Sequence, residues 1–73
     1  MSKLPQVSAQ EVVRALQKAG FSVRRQHGSH IIMRHDDPFA QTVVLNHAQI
    51  DRGTLRAILR QTDVSVDQFT RLL

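Results

Sequence analysis

Four histidines in a chain of 73 residues are the side chains best suited to proton transfer near neutrality, and their neighbours in sequence separate them. His30 stands in Gly28-Ser29-His30, directly after a glycine that lets a backbone or a phosphate come close, and at the head of the apolar run Ile31-Ile32-Met33. A phosphodiester substrate fits that setting. The competing structural role for His30 is a half-buried strand imidazole bonded to a neighbouring carbonyl. His47, in Leu45-Asn46-His47, could support a site, orient a loop or cap the helix that follows. His27 precedes Gly28 in a tight join and reads as a solvated turn residue, while His35 adjoins Asp36 and Asp37 and reads as a surface-turn residue with local side-chain hydrogen bonds.

Other chemistries find less support. Ser29 beside His30 suggests a nucleophile, yet adjacent strand residues point to opposite faces and no orienting carboxylate stands out. His27 and His30 are three apart, without the i, i+4 helical pairing of a zinc hydrolase, so no metal and no cofactor is expected. A Gly-rich loop ending in Gly-Lys-Ser/Thr is missing, which removes the usual basis for nucleotide hydrolysis.

The charge points to an anionic partner. The formal net charge is +4, and it is lopsided: residues 1–35 hold six basic side chains and one acidic one, residues 36–73 four and five. Arg24 and Arg25 fall in a strand-like run and should face opposite ways, so only one can join Arg34 and His30 unless the strand bulges. Lys3, Arg14 and Lys18 could extend a phosphate-binding surface, while Arg52, Arg56 and Arg60 follow i, i+4 spacing on a solvated helix face. With three Phe and neither Trp nor Tyr, the chain lacks base-stacking platforms, which favours contacts to RNA backbone and 2′-hydroxyls.

These residues need a small scaffold. The length allows one domain, taken as residues 1–73, and 41% hydrophobic content argues for a folded core rather than a basic tail. Without cysteine, burial alone must hold it. No apolar run approaches the roughly 18 residues of a membrane span, and no secretory signal stands at the N-terminus, so a cytoplasmic protein is expected. The pair Ser8 and Glu11 forms a capping-box pattern ahead of Val12, Ala15, Leu16 and Ala19, with Gly20 as a stop; the spacing predicts a helix over 8–19. β-branched and apolar runs then predict strands over 22–26, 29–34 and 41–45, joined by His27-Gly28 and by His35-Asp36-Asp37-Pro38. On the second strand His30, Ile32 and Arg34 share one face, and Ser29, Ile31 and Met33 the other. Leu55, Ile58, Leu59 and Thr62 predict a helix over 52–62, and Ser65 with Gln68 opens a short terminal helix carrying Phe69, Leu72 and Leu73. The order α-β-β-β-α plus a short C-terminal helix describes an α+β fold with a three-stranded antiparallel sheet, like a double-stranded-RNA-binding domain.

In order and spacing, Pro5, the Ser8 to Leu16 helix, Gly20-Phe21, Gly28-Ser29-His30, Asn46-His47, the run Gly53 to Gln61 and Ser65 to Phe69 resemble the HicA toxins of bacterial toxin–antitoxin modules. The likeness covers nearly the whole chain. It implies the fold just described, ribosome-independent cleavage of mRNA, inhibition by a cognate HicB-type antitoxin, and a catalytic histidine that falls on His30. The chain departs from the family pattern at Leu45, where a proline commonly precedes the x-His, and this bears on the rigidity of that loop.

The chemistry expected on that basis is metal-free. His30 acts as general base or acid while the 2′-hydroxyl attacks the adjacent phosphorus. Arg24 or Arg25 neutralises the phosphate, and backbone amides near Gly28 and Ser29 add donors. One histidine is worth about 10²- to 10⁴-fold, so a slow enzyme is expected. The alternatives are a non-catalytic module that binds double-stranded RNA, and a protein-interaction unit that binds the antitoxin.

Overall fold

The computed structural model describes residues 3–73. Its elements run α1 (Ala9–Lys18), β1 (Ser22–His27), β2 (His30–Asp36), β3 (Phe39–Leu45), α2 (Arg52–Thr62) and α3 (Val66–Leu72). The three strands form one antiparallel sheet in the order β1-β2-β3. The expected α+β architecture is therefore present, with α3 as the short C-terminal helix.

Each helix starts where a side chain can satisfy free amides. At α1 the Glu11 amide donates to Ser8 Oγ (3.2 Å) and the Ser8 amide donates back to Glu11 Oε1 (2.9 Å), completing the capping box. At α3 the Gln68 amide donates to Ser65 Oγ at 3.0 Å. At α2 the cap is Asp51, which accepts from both the amide and the hydroxyl of Thr54. The Thr54 hydroxyl, then its amide, hold the Asp51 carboxyl below the usual carboxylate range. The carboxylate form is the one the fold favours, so this cap is intact at neutral pH and is lost as pH falls through that lowered range.

The first two helices, α1 and α2, stop by a shared device. After α1 the Gly20 amide donates to the Gln17 carbonyl (3.0 Å) and the Phe21 amide to the Leu16 carbonyl (2.9 Å), a Schellman arrangement that needs the positive φ of Gly20, +100°. After α2 the same pair of bonds runs from Asp63 to Arg60 and from Val64 to Leu59, with Asp63 at φ 57°. A short polar side chain tolerates the left-handed conformation better than most.

The strands are longer than the sequence runs predicted; the first join keeps two residues but lies one position later, and the second is shorter. Gly28-Ser29 and Asp37-Pro38 each form a two-residue turn, so His27, His35, Asp36, Phe39 and Ala40 belong to strands, whereas Ser29 belongs to a turn. The physical reason lies in hairpin geometry: a two-residue loop lets the ladder continue up to the turn, and pairing outweighs the turn preference of His and Asp.

The helices lie on one side of the sheet. α1 and α2 pack over β3, α1 also reaches β1, and α3 packs on α1. Ile31 and Met33 of β2, with Thr42 and Val44 of β3, are buried beneath Val12, Leu16, Leu55, Ile58, Leu59 and Phe69. All six residues of β1 are exposed, so this edge strand is held mainly by its pairing with β2.

Phe69 is fully buried, and its replacement by Ala should cost about 3–5 kcal/mol, against about 1 kcal/mol for loss of the α1 cap in Ser8→Ala. Urea unfolding followed by circular dichroism would check that order. A larger loss for Ser8→Ala would place the weak point of the domain at the start of α1.

Candidate active site

Pleat parity decides where His30 points. Ile31 and Met33 are buried under the helices, so His30, Ile32 and Arg34 lie on the opposite, open face of the sheet. His30 is exposed and, among the described residues, its ring has no hydrogen-bond partner. The half-buried, carbonyl-bonded role considered for this residue is therefore not the one it adopts. Gly28 has φ +54° as the first central residue of the turn before it, the conformation a Gly-first hairpin requires. Open space surrounds it, with no atom within 4 Å of where a Cβ would stand.

The register sets the neighbours of His30. Across the strands it stands opposite His27 of β1 on one side and Leu45 of β3 on the other. Directly opposed residues of an antiparallel pair project to the same face, so the His27 and His30 side chains share the open face. Sequence reading placed His27 in the join and missed this pairing. The signal was present in Gly28-Ser29, since a two-residue turn leaves the residues on either side as cross-strand partners.

The loop after β3 is fastened without the proline. The Asn46 amide donates to the Ser29 carbonyl (2.7 Å), the His47 amide closes a tight turn on the Leu45 carbonyl (2.7 Å), and the His47 carbonyl accepts from the Ala9 amide (3.0 Å). Gln10 Nε2 also donates to Asn46 Oδ1 at 3.3 Å. His47 thus serves the start of α1 through its backbone rather than capping α2, and its side chain is exposed. The loop connects the Gly28-Ser29 turn to the first turn of α1.

The arginines of β1 are brought together by a bulge. Val23 pairs with Met33 but Arg25, not Arg24, pairs with Ile32, so Arg24 is the extra residue. Arg24 and Arg25 then line one hollow of about 330 Å³ with Ile32, Arg34 and Gln41. Arg34 Nε lies 2.9 Å from Asp36 Oδ1, yet its N–H is not aligned on that oxygen, which leaves a solvent-shielded donor without a hydrogen bond. Three guanidinium groups around an open hollow form a surface suited to a phosphate oxygen. Lys3 lies elsewhere, beside α3 in a shallow depression with Asp67, Thr70 and Arg71. Lys18 Nζ donates to the Leu72 carbonyl at 3.0 Å, so it too serves the helical layer.

His35 has a packing role. Its Nδ1 lies 3.0 Å from the Pro38 carbonyl, which can only accept, so Nδ1 carries the proton. The ring sits 5.3 Å from that of Phe21, tilted by 56°, and a Cβ on Gly20 would come within 2.9 Å of it. Half-buried in strand β2, His35 does not lie in the surface turn expected, although its bond to Pro38 is a local side-chain hydrogen bond of the kind expected. Among the described residues, no three His, Asp or Glu side chains gather as a metal-binding group, and no helix is long and apolar enough to cross a membrane.

A family model described as the HicA toxin of bacterial toxin-antitoxin matches residues 9–64 of the chain. The search of curated proteins finds no match. The matched span runs from the first residue of α1 to Val64, just beyond α2, and contains the whole sheet.

His35→Ala should lower the midpoint of thermal unfolding, followed by circular dichroism, through lost packing on Gly20 and Phe21. An unchanged midpoint would remove that packing role from His35.

Proposed function

The chain belongs to the HicA toxin family of bacterial toxin–antitoxin systems, and on that premise we propose that it is a ribosome-independent endoribonuclease that cleaves mRNA with His30 and without a metal ion. Family membership implies a cognate antitoxin partner; the proposal makes that partner HicB-type and the setting cytoplasmic. The observation that carries the catalytic reading is the exposed, unpartnered imidazole of His30 on a cationic sheet face beside the open Gly28-Ser29 turn.

Cleavage in this scheme needs the RNA's own 2′-hydroxyl. His30 removes its proton, the freed oxygen attacks the adjacent phosphorus, and the bond to O5′ breaks. The products are a 2′,3′-cyclic phosphate and a 5′-hydroxyl. Arg24 and Arg25, with Arg34 in the same hollow, balance the charge of the strand being cut. The exposed backbone edge at Gly28 and Ser29 gives the strand room to lie against the turn. His47 supports the site through the loop it anchors, and Lys3 would meet only RNA that extends beyond the sheet face. An antitoxin that covers His30 and complements the arginines would inhibit by occupying the substrate's place.

The purified protein incubated with a long mRNA in EDTA should cut it, leaving cyclic phosphate ends, and a folded His30→Ala variant should not. Ends bearing 3′-hydroxyl and 5′-phosphate would exclude the 2′-hydroxyl route. RNA binding without cleavage by either protein would favour the non-catalytic module.

Replacing Arg25 with Ala should make the salt dependence of binding to single-stranded RNA shallower, by about 0.7 in the slope of log K against log salt. An unchanged slope would remove Arg25 from the path of the phosphates.

A further inference from the structure

We propose that His27 is the second proton-transfer group of this site, so that each cleavage uses an imidazole pair in which His30 takes a proton and His27 gives one. The inference rests on the RNA-cleaving reading above and adds the leaving-group half of the reaction to it.

The argument begins with register. His27 and His30 are the last pair of the β1–β2 ladder, flanking the two-residue turn at Gly28-Ser29. Opposed side chains in such a pair start from Cβ atoms about 4.5–5.5 Å apart on the same face. Both residues are exposed, and among the described residues neither ring has a hydrogen bond or a ring contact. In the proposed arrangement the two imidazoles flank one phosphate. They also sit at the end of the β1–β2 ladder, on the sheet face opposite the helices.

The surroundings suit the role. On β1 the nearest charged groups are Arg25 and, at the bulge, Arg24; on β2 the open face carries Arg34, and on β3 it presents Val43 and Leu45. The carboxylate on this face, Asp36, lies at the far end of β2 beside Arg34. The register places His27 directly opposite His30, whereas His47 lies in the loop after β3 that fastens to the start of α1. Neither imidazole is therefore tied to a protein carboxylate, and the groups left to face the rings are those of the substrate.

The step balances without any further reactant. The 2′-O–H proton passes to a ring nitrogen of neutral His30 as the O2′–P bond forms. The P–O5′ bond breaks with its electron pair on O5′, which receives a proton from the His27 imidazolium. The cycle leaves His30 protonated and His27 neutral, and water on the open face restores both.

The test uses single-turnover cleavage of an RNA oligonucleotide copied from a site that the wild-type protein cuts in mRNA. His27→Ala should cleave it about 10²-fold more slowly or worse, with RNA affinity nearly unchanged. His27→Arg, which keeps the charge but cannot release a proton near neutrality, should be as slow. In a second oligonucleotide sulfur replaces the bridging 5′-oxygen, and the thiolate leaves without protonation. On that substrate His27→Ala should recover to near the wild-type rate while His30→Ala should not. Full-rate cleavage of the natural substrate by either His27 variant would overturn the proposal, and so would an equal loss on both substrates. A wild-type protein that cuts no site in the mRNA from which the oligonucleotide is to be chosen would overturn the nuclease reading itself, which distinguishes that failure from this one.

Discussion

A strand packed on one side can bury only alternate side chains, and in β2 that constraint governs everything the site contains. Ile31 and Met33 are committed to the helices together with Val44, so His30, Ile32 and Arg34 must face outward. A slip of one residue in the pairing would bury His30 without a partner and expose Met33 to water. The cost of burying an unpaired imidazole and the loss of a fully buried Met side chain act in the same direction. The apolar core and the exposed histidine are thus two consequences of one register.

That register is held at both ends of the ladder. At one end the Gly28-Ser29 turn, with its positive φ at Gly28, brings β1 back with His27 opposite His30. At the other, Asp37-Pro38 returns β3, and Thr42 Oγ1 donates to Gln61 Oε1 at 2.6 Å, linking the strand to α2. The bulge at Arg24 changes the parity of β1 beyond it, which is how consecutive arginines come to line a single hollow. A regular strand would have sent one of them toward the helices. Charge therefore gathers where the sheet is uncovered, and the helical layer keeps Lys3 and Lys18 for contacts around α3.

The sheet face that carries His30 and the three arginines is the side without helices, and a nucleic acid backbone or an acidic protein surface would be drawn to the same charges. Competition for that face is the simplest physical form of toxin control, because it needs no conformational change in a fold built from short turns and capped helices. Membership of the HicA family makes an antitoxin part of the biology of the chain. The reaction proposed for His30 and His27 would supply a reason to keep that face covered.

Local chemistry made much of the fold legible from the sequence. Ser8 with Glu11, Ser65 with Gln68 and the glycine after α1 are short-range devices whose partners lie within a few residues, and the helix over 52–62 follows from its own apolar stripe. The Gly-Ser-His and downstream motifs likewise carried the family resemblance that the family model bears out. The sequence also showed that His30, Ile32 and Arg34 share a face, because alternation is a property of any strand. It left open which face, since that depends on where the helices pack, and their packing joins residues dozens of positions apart. The bulge at Arg24 and the packing of His35 against Gly20 and Phe21 arise in the same way, as does the pairing of His27 with His30 across a turn that lies one residue later than its residue types suggested. Each depends on a balance between local preference and long-range burial, and that balance is struck only when the sheet and the helices meet.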